Sequence, residues 1–309
     1  MNNVRVTIGI CAKNSEKTIN NTVRSLLTQD YPLEKIQIVF VDDGSNDQTL
    51  NIINKICSEI NIITKVFHHD WQGLGYSRNL VVNNAKGKFI LWVDSDMILS
   101  RNYVRKLVNF MDENLNVGIA KGKYDITSAT DWLSALEMYS RSKMGFDFNK
   151  NPSKSIGTGG SIYRVKALKD VGGFNKNLKG YGEDWNVEFK MRNVGWKFSI
   201  VDCVFTDYEK YGITWKQLWQ RYFKRGYDGC KSKKLTKEMV RFYKMIPITS
   251  FIAGFIDSLT LYKTTHRKIV FLLPIQYMVK SFFWCNGYIY AHLDSRLHGT
   301  RSRARKITS

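Results

Sequence analysis

The sequence lacks the features that mark several classes of protein. Its five cysteines are widely scattered and form no C-x-x-C pair, which argues against a zinc site or a disulfide framework and fits a reducing compartment. Residues 1–10 alternate polar and apolar side chains, so the continuous apolar region of a signal peptide is absent. There is no internal repeat, no low-complexity tract and no signature of an RNA- or DNA-binding module. These absences predict an ordered protein whose catalytic part is cytosolic and which binds no nucleic acid.

Acidic residues are scarce relative to basic ones. Lys and Arg number 47 against 27 Asp and Glu, which gives a formal net charge of +20. This balance predicts an anionic partner, although charge alone does not choose between acidic lipid head groups, phosphorylated substrates and nucleic acid. Hydrophobic residues make up 43% and charged residues 24% of the 309 positions, which is typical of a chain that folds around a core.

The first third of the chain alternates strand-like and helix-like segments. Four short apolar runs predict strands, at residues 4–11, 36–41, 62–67 and 89–93. Helical spacing of apolar residues predicts helices at residues 18–28, 48–60 and 76–85. Such alternation predicts an α/β fold with a mostly parallel sheet covered on both faces, in which ligands bind beyond the carboxyl ends of the strands. Two acidic motifs, residues 42–43 and 94–96, follow strands directly and should face the same crevice.

The two acidic motifs suit different ligands. Asp42 and Asp43 stand at a strand-to-loop turn, where a carboxylate can accept hydrogen bonds from a base or a ribose hydroxyl. Asp43 or Asp47 could instead cap the next helix. Asp94 and Asp96 repel each other unless a cation lies between them, which predicts Mg²⁺ or Mn²⁺ bridging to a diphosphate. The alternative for this second motif is a solvated acidic turn.

Two predicted helix starts carry further candidate residues. Gly-Leu-Gly at residues 73–75 opens the third helix, whose N-terminus and Arg78 favour an anion, although Arg78 could also pack against the sheet. Gly-Glu-Asp-Trp at residues 182–185 opens another helix. Asp184 could cap that helix, or it could act as a general base that takes the proton from an acceptor hydroxyl.

In combination and in order, these motifs resemble those of family 2 glycosyltransferases. The resemblance covers roughly residues 4–229 and rests on Asp42-Asp43-Gly44-Ser45, Ser77-Arg78-Asn79, Ala85-Lys86-Gly87-Lys88-Phe89-Ile90, Asp94-Ser95-Asp96, Gly159-Gly160, Val171-Gly172-Gly173-Phe174 and Gly182-Glu183-Asp184-Trp185. It implies a GT-A fold, meaning a Rossmann-like catalytic domain with a mostly parallel central sheet. It also implies an inverting glycosyltransferase that uses a UDP- or GDP-sugar donor with Mg²⁺ or Mn²⁺.

The resemblance implies a role for each matching residue. The residues implied to bind the nucleotide-sugar donor are Ala12, Asn14 and Glu16 near the nucleoside, Asp42 and Asp43 at the base and ribose, Arg78 at the phosphates, and Asp94 at the sugar or ribose. Gln220 and Arg221 lie on a helix that would close over the diphosphate. Asp96 would be the main metal ligand and Asp184 the catalytic base. The residues implied on the acceptor side are Gly159, Gly160, Glu183 and Trp185.

Two positions depart from the pattern of the family. Residues 11–12 read Cys-Ala where the family often has proline in the first loop. Many relatives place a metal-binding histidine after the helix of the base, where this chain has Asp207-Tyr208-Glu209. Asp207 is therefore the expected substitute as third metal ligand. His68 and His69 are adjacent in a loop, where histidines are more often surface residues than ligands, and no role is assigned to them.

The composition changes past residue 229. A basic stretch at residues 231–237 precedes two apolar segments, at residues 245–262 and 269–293. This predicts a catalytic domain over residues 1–229 and a helical, membrane-associated region with a basic tail over residues 230–309. A spanning hairpin would place Lys263, Arg267 and Lys268 on the far side of the membrane, against the positive-inside tendency. Helices lying in the interface on anionic lipid are favoured instead, and a soluble helical cap is the third alternative.

The predicted reaction is an inverting displacement at the sugar C1. The hydroxyl of a lipid-linked or polymeric glycan would attack while Asp184 removes its proton. A polyprenyl-phosphate hexose synthase is the alternative enzyme, because it would share the donor half of the site, but its phosphate acceptor needs no base. The alternative outside these enzymes is a nucleic-acid-binding protein, and the sequence lacks the signature of any such module. A non-catalytic scaffold of the same fold is disfavoured because every carboxylate that the mechanism needs is present.

Overall fold

The computed structural model describes residues 4–125, 129, 131–148, 155–179, 182–207, 212–232 and 246–307, without the side chains of residues 143–148, 231–232 and 295–307. The chain packs as two compact units, one of Met1–Ala129 and Arg141–Tyr211, the other of Thr130–Ser140 and Gly212–Ser309. The predicted boundary between residues 229 and 230 falls inside a helix of the second unit, and residues 233–237 of the predicted basic stretch lie outside the described residues. The predicted division of the chain by function stays a prediction.

The first unit contains a mixed sheet flanked by helices. Its strands are β1 Val6–Ala12, β2 Ile36–Asp43, β3 Ile63–His69, β4 Phe89–Trp92, β5 Met97–Leu99, β6 Val117–Tyr124, β7 Ser161–Arg164 and β8 Lys197–Asp207. Its helices are α1 Ile19–Leu27, α2 Thr49–Glu59, α3 Leu74–Asn84, α4 Tyr103–Glu113, α6 Val165–Asp170 and α7 Glu183–Asn193. Helix α5, Trp132–Phe148, begins in residues of the second unit and continues into those of the first.

The strand order is β3-β2-β1-β4-β7-β6-β8-β5. Strands β1 to β4 pair in parallel, as the alternation of strands and helices predicts. Strand β7 is antiparallel to both of its neighbours, β4 and β6, and the edge strand β5 is antiparallel to β8. The order reverses on either side of β1, and a reversal of this kind opens a crevice at the carboxyl ends of the strands.

Helices cover both faces of the sheet because its central strands are apolar on both sides. Alternate residues of a strand point to opposite faces. In β2, Ile38 and Phe40 pack with residues of α1, α2 and α4, whereas Val39 and Val41 pack with residues of α3, α6 and α7. All eight residues of β2 are buried. The sheet is therefore the centre of the unit, and its polar loops are confined to the strand ends.

The second unit is helical where it is described. It contains α8 Trp215–Ser232, α9 Pro247–Thr265, a 3-10 turn at Lys268–Leu272, and α10 Leu273–Ile307. The described parts of both predicted apolar segments are thus mostly helical, and residue 245 lies outside the described residues. Among the described residues one helical stretch, Lys268–Asp294, is long and apolar enough by length and composition to cross a membrane.

Candidate active site at the carboxyl ends of the strands

The loops after β1 and β2 are joined by hydrogen bonds. Asn14, with a left-handed φ of 51°, donates from its backbone N–H to Ser45 Oγ (2.9 Å) and accepts from the backbone N–H of Asn46 (2.9 Å). Glu16 Oε2 accepts from the backbone N–H of Gln48 (3.1 Å). Ala12 is buried at the end of β1, where it pairs with Asp42 in the ladder. The structure thus brings together the residues predicted near the nucleoside.

Asp42 and Asp43 are buried and hold the neighbouring loops. Asp42 accepts from the Ser45 hydroxyl, and its Oδ2 lies 2.7 Å from Nδ1 of His68 on β3. Asp43 accepts from the backbone N–H groups of Gln72 (2.8 Å) and Gly73 (3.1 Å) at the start of α3. Both carboxylates therefore shape the crevice. Their contact with a base and a ribose stays a prediction.

The second acidic motif lies beside the end of β8. The hydroxyls of Ser95 and Ser15 share a 2.7 Å hydrogen bond, which connects the motif to the loop after β1. Met97 pairs with Asp207 in the β5–β8 ladder, so Asp207 lies next to the motif. The role of Asp207 as a metal ligand stays a prediction. Asp207 Oδ2 also accepts from Nη1 of Arg141 at 3.1 Å. The backbone of Asp207 thus lies across the ladder from the residue after Asp96, and a guanidinium contacts the Asp207 carboxylate.

Asp94 is exposed, and charged side chains lie around its carboxyl. Desolvation by the neighbouring protein atoms raises the pKa of this carboxyl, the Arg78 guanidinium lowers it, and the negative charge of Asp207 raises it further. Lys121 of β6 is buried, its Nζ donates to the Ile156 carbonyl at 2.7 Å, and burial lowers the pKa of its ammonium against the opposing effect of Asp207. An exposed carboxylate with nearby cations is suited to a polar, charged ligand.

A glycine loop connects the two predicted reactive acids. A Cβ at Gly159 would overlap the Asp94 carboxylate, so only glycine allows this approach. A Cβ at Gly157 would lie 3.7 Å from Asp184 Oδ2 and 3.8 Å from Lys121 Nζ. Gly160 donates its N–H to the carbonyl of Trp92 at the end of β4 (2.8 Å). Residues 157–160 therefore run between Asp94 and Asp184, which places the glycines predicted on the acceptor side between those carboxylates.

Arg78 and Glu183 form a buried ion pair between α3 and α7. The guanidinium also lies 5.8 Å from the ring centroid of Trp92 and 5.5 Å from that of Phe174. Although burial alone would lower the pKa of Arg78, the Glu183 carboxylate raises it, so the cation is held firmly in the charged form. The pair anchors the first residue of α7. The predicted contacts of Arg78 with phosphates and of Glu183 with an acceptor stay predictions.

Asp184 is the second residue of α7 and is half-buried. Its Oδ1 accepts from the backbone N–H of Trp185 at 2.8 Å, and its neighbour Glu183 is held by Arg78. One turn later, buried Glu188 accepts from the backbone N–H groups of Ile156 (3.1 Å) and Gly157 (2.8 Å). Burial and the Asp184 charge raise the pKa of Glu188 to about 7. Helix α7 therefore positions both Asp184 and the glycine loop.

The donor set fits a metal ion that takes part of its coordination from a ligand. Within the described residues there is no group of three or more His, Cys, Asp or Glu side chains that could hold a metal. Mg²⁺ is commonly bound by one or two carboxylates, with substrate phosphates and water completing the shell. Asp96 and Asp207, with Asp94 beside them, match that arrangement and do not match a cage made by the protein alone.

Several residues of the site were missed by the sequence analysis. They are His68, Trp71, Lys121, Arg141 and Glu188. Trp71 is 50% exposed, with the Nζ atoms of Lys13 and Lys179 at 5.3 and 5.8 Å from its ring centroid. Lys121 offered a weak signal, because it directly follows the apolar residues 117–120, but a second lysine, Lys123, lies in the same strand. Gln220 and Arg221 lie on α8 of the second unit, and their closure over a diphosphate stays a prediction.

The sequence is similar to known glycosyltransferases over its first half. The profile described as "Glycosyl transferase family 2" matches residues 7–172. The poly(ribitol-phosphate) beta-N-acetylglucosaminyltransferase TarS of Staphylococcus aureus is 37% identical over 101 residues, which are 33% of this chain and 18% of TarS. The UDP-Glc:alpha-D-GlcNAc-diphosphoundecaprenol beta-1,3-glucosyltransferase WfaP of Escherichia coli is 36% identical over 107 residues, 35% of this chain and 41% of WfaP. The matches thus span less than half the length of these relatives.

Solved structures share the architecture over most of the chain. The mannosyltransferase PcManGT from Pyrobaculum calidifontis superposes with a TM-score of 0.63 at 14% identity, over 94% of this chain and 87% of that one. S. aureus TarS superposes with a TM-score of 0.53 at 19% identity, over 92% of this chain and 54% of that one. At these identities the likeness shows the fold, and it confirms the predicted GT-A arrangement. With the family profile covering more than half of the residues, the chain is a glycosyltransferase that belongs to glycosyl transferase family 2.

Proposed function

We propose that this enzyme transfers a sugar, with inversion at C1, from a UDP- or GDP-sugar to a hydroxyl of a lipid-linked or polymeric glycan. The observation that carries the proposal is the glycine loop at residues 157–160. It runs from Asp94, the residue expected at the donor sugar, to Asp184, the expected base. A donor and an acceptor bound on either side of this loop would bring C1 and the attacking oxygen together.

Relatives support the choice of donor and acceptor. The structures of TarS and PcManGT are named as complexes with UDP-GlcNAc and with GDP-Man and Mn²⁺, respectively. The names of TarS and WfaP describe transfer to a poly(ribitol-phosphate) and to a sugar on diphosphoundecaprenol. A nucleotide sugar and a polymeric or lipid-linked acceptor are thus the substrates we propose for this chain.

The proposed reaction needs one proton acceptor on the protein. The acceptor oxygen attacks C1 while the bond from C1 to the diphosphate oxygen breaks, and the diphosphate leaves with the bonding electrons. The proton of the hydroxyl passes to the Asp184 carboxylate. Glu183, held by Arg78, fixes the start of α7 and with it the position of Asp184.

We propose that Asp96 and Asp207 would hold Mg²⁺ or Mn²⁺ together with the donor diphosphate, and that Asp94 lies beside them at the donor sugar or ribose. When bound, such an ion supplies positive charge that stabilises the departing diphosphate. Lys121 and Arg141 add fixed positive charge around Asp94 and Asp207. These cations offset part of the negative charge of the acidic motif, so the crevice suits an anionic diphosphate.

We also propose that the enzyme works on an anionic membrane surface with its catalytic domain in the cytoplasm. The net charge of +20 and the apolar C-terminal helices support this location. A lipid-linked acceptor would be presented at that same surface.

The exchange Asp184→Asn tests the proposed base. It keeps the size of the side chain and removes the proton acceptor, so turnover should fall by about 10²–10⁴-fold, the usual contribution of general-base catalysis. Nucleotide-sugar affinity should hardly change. The assay is transfer of labelled sugar to a membrane extract, with donor affinity measured in parallel.

The control is Asp170→Asn, which removes a carboxylate from an exposed pair on α6 and should leave transfer unchanged. Near-normal transfer by Asp184→Asn would refute the base and favour a phosphate acceptor, as in a polyprenyl-phosphate hexose synthase.

A further inference from the structure

Helices α9 and α10 carry their apolar side chains on the outside. On α9 the exposed large apolar residues are Ile248, Phe251, Ile252, Phe255, Ile256 and Leu259. On α10 and the turn before it they are Phe271, Leu272, Ile275, Met278, Phe282, Ile289, Tyr290 and Leu293. Spacing of three or four residues makes the α9 set a continuous stripe. The α10 set forms two stripes, over residues 271–282 and 289–293, with exposed Asn286 between them. A helix on the surface of a water-soluble protein has the opposite arrangement, with its apolar stripe inside.

The buried side of the same helices carries paired polar groups among its apolar residues. Lys280 of α10 forms an ion pair with Glu137 of α5, and Gln276 Nε2 donates to the same carboxylate at 3.2 Å. The hydroxyl of Tyr277 donates to Asp257 Oδ2 of α9 at 3.1 Å. All of these residues belong to the second unit, and Lys280, Glu137, Gln276 and Asp257 are buried. Polar groups that pair inside while apolar groups face outward suit an apolar surrounding.

The serine and threonine hydroxyls of α9 have hydrogen-bond partners within the protein. Five of its Ser and Thr side chains donate to carbonyls three or four residues earlier, at Thr249, Ser258, Thr260, Thr264 and Thr265. The sixth, Ser250, shares a hydrogen bond with Ser281 of α10. Thr260 is half-buried and makes this bond at the solvent-exposed side of the helix, at 3.1 Å from the Ile256 carbonyl. A polar group that faces hydrocarbon must form its hydrogen bonds within the protein, whereas one that faces water can bond to the solvent.

The helices of this unit also approach each other at glycines. A Cβ at Gly226 of α8 would overlap the Trp284 carbonyl of α10, and one at Gly287 of α10 would overlap the Phe223 carbonyl of α8. Gly254 of α9 lies against Pro274 in the same way. Close backbone contact at small residues is how helices associate where the surrounding lipid gives no hydrophobic gain.

We propose that the outward stripes of α9 and α10 enter the hydrocarbon of an anionic membrane. This deepens the membrane association proposed above, on which it rests, by naming the inserted surface. Lys263, Arg267 and Lys268 lie where α9 turns into α10 and complement anionic head groups at the edge of that surface. A basic rim beside an apolar face matches a bilayer in both charge and polarity.

Flotation of the full-length protein with phospholipid vesicles tests the inference. Wild type should float with phosphatidylcholine–phosphatidylglycerol vesicles and stay bound at about 1 M salt, where the Debye length is only about 3 Å. Phe255→Glu and Ile256→Glu should each lower the high-salt partition coefficient by about 100-fold, which is the effect of a charge placed in hydrocarbon. The matched control is Leu115→Glu, at a 69% exposed apolar residue of the first unit, which should float like wild type.

The possible failures differ from one another. Release of the wild-type protein from vesicles at high salt would mean that it adsorbs by charge alone, and would overturn insertion. Normal flotation of the two glutamate variants at high salt would also overturn insertion. Absence of flotation, together with a dimer that Phe255→Glu dissociates, would assign the stripes to a second copy of the chain. Thermal stabilisation by nucleotide sugar, retained in the variants, shows that they fold. Asp184→Asn should float normally, so a failure of the proposed chemistry is distinguishable from a failure of insertion.

Discussion

Glycine at position 159 allows the Asp94 carboxylate to lie against the backbone of the loop before β7. Any Cβ there would occupy the space of that carboxylate, and Asp94 would have to turn away. We therefore expect Gly159→Ala to reduce transfer by at least about 10-fold, because a displacement of about 1 Å in a catalytic site can cost about 100-fold. The measurement is initial rate alongside thermal unfolding.

The matched control for this exchange is Gly229→Ala. Its Cβ would meet the Trp284 ring at 3.5 Å, an ordinary contact, and the residue is helical, where alanine is favoured. Equal rates for Gly159→Ala and wild type would show that Asp94 does not need its observed position.

At this scale, sequence motifs identified residues better than they identified contacts. Asp94 and Asp184 could be proposed because their residue types and positions suit charge chemistry. The burial of Arg78 against Glu183, which are 105 residues apart in the chain, was not predictable from either motif. A side chain's partner depends on which elements pack together, and local sequence does not contain that information.

Among the elements, helix α7 depends on a buried charge at its start. Glu183→Gln leaves Arg78 buried without a counter-charge, and breaking a buried ion pair typically costs about 3–5 kcal/mol. We expect a loss of that order in the free energy of unfolding, measured in urea. Replacing both partners by methionine should cost less than the single change, because no uncompensated charge remains.

An exposed pair provides the comparison for α7. Lys166 and Asp170 on α6 are separated by one turn, and their side chains are largely in solvent. Asp170→Asn should change the free energy of unfolding by less than about 0.5 kcal/mol. Similar losses for Asp170→Asn and Glu183→Gln would mean that the Arg78–Glu183 pair does not anchor α7.

The elements themselves were predictable to different degrees. Strands β1 to β4 and helices α1 to α3 lie within three residues of their predicted bounds, because each has its own periodicity. The short strand β5 was not predicted, since three residues are too few to show a period. The antiparallel pairing of β7 with β4 and β6 depends on the path of the intervening chain, which no local pattern records.

For the molecule as a whole, we expect donor binding to require a divalent cation. Asp94, Asp96 and Asp207 would otherwise face a diphosphate with bare carboxylates. With Mn²⁺, a nucleotide sugar at 100 times its Kd should stabilise the protein by about 2.7 kcal/mol, and chelator should abolish the accompanying rise in Tm. Asp96→Asn should weaken this response more than Asp94→Asn.

Chelator without donor should leave Tm unchanged, because the protein alone offers no complete metal cage among the described residues. Undiminished stabilisation by donor in excess chelator would contradict the metal requirement. Arg78, Lys121 and Arg141 would then be the positive charges that attract the diphosphate.

The sequence by itself determined the family, the parallel half of the sheet and the positions of the acidic motifs, because these follow from local periodicity and motif order. The tertiary structure decided how the site is assembled. It placed Gly157 and Gly159 between Asp184 and Asp94, set Asp207 beside the metal motif through the β5–β8 register, and paired Lys280 with Glu137 beneath an apolar exterior. These contacts join residues far apart in the chain, and their existence depends on packing between elements rather than on the pattern within any one of them.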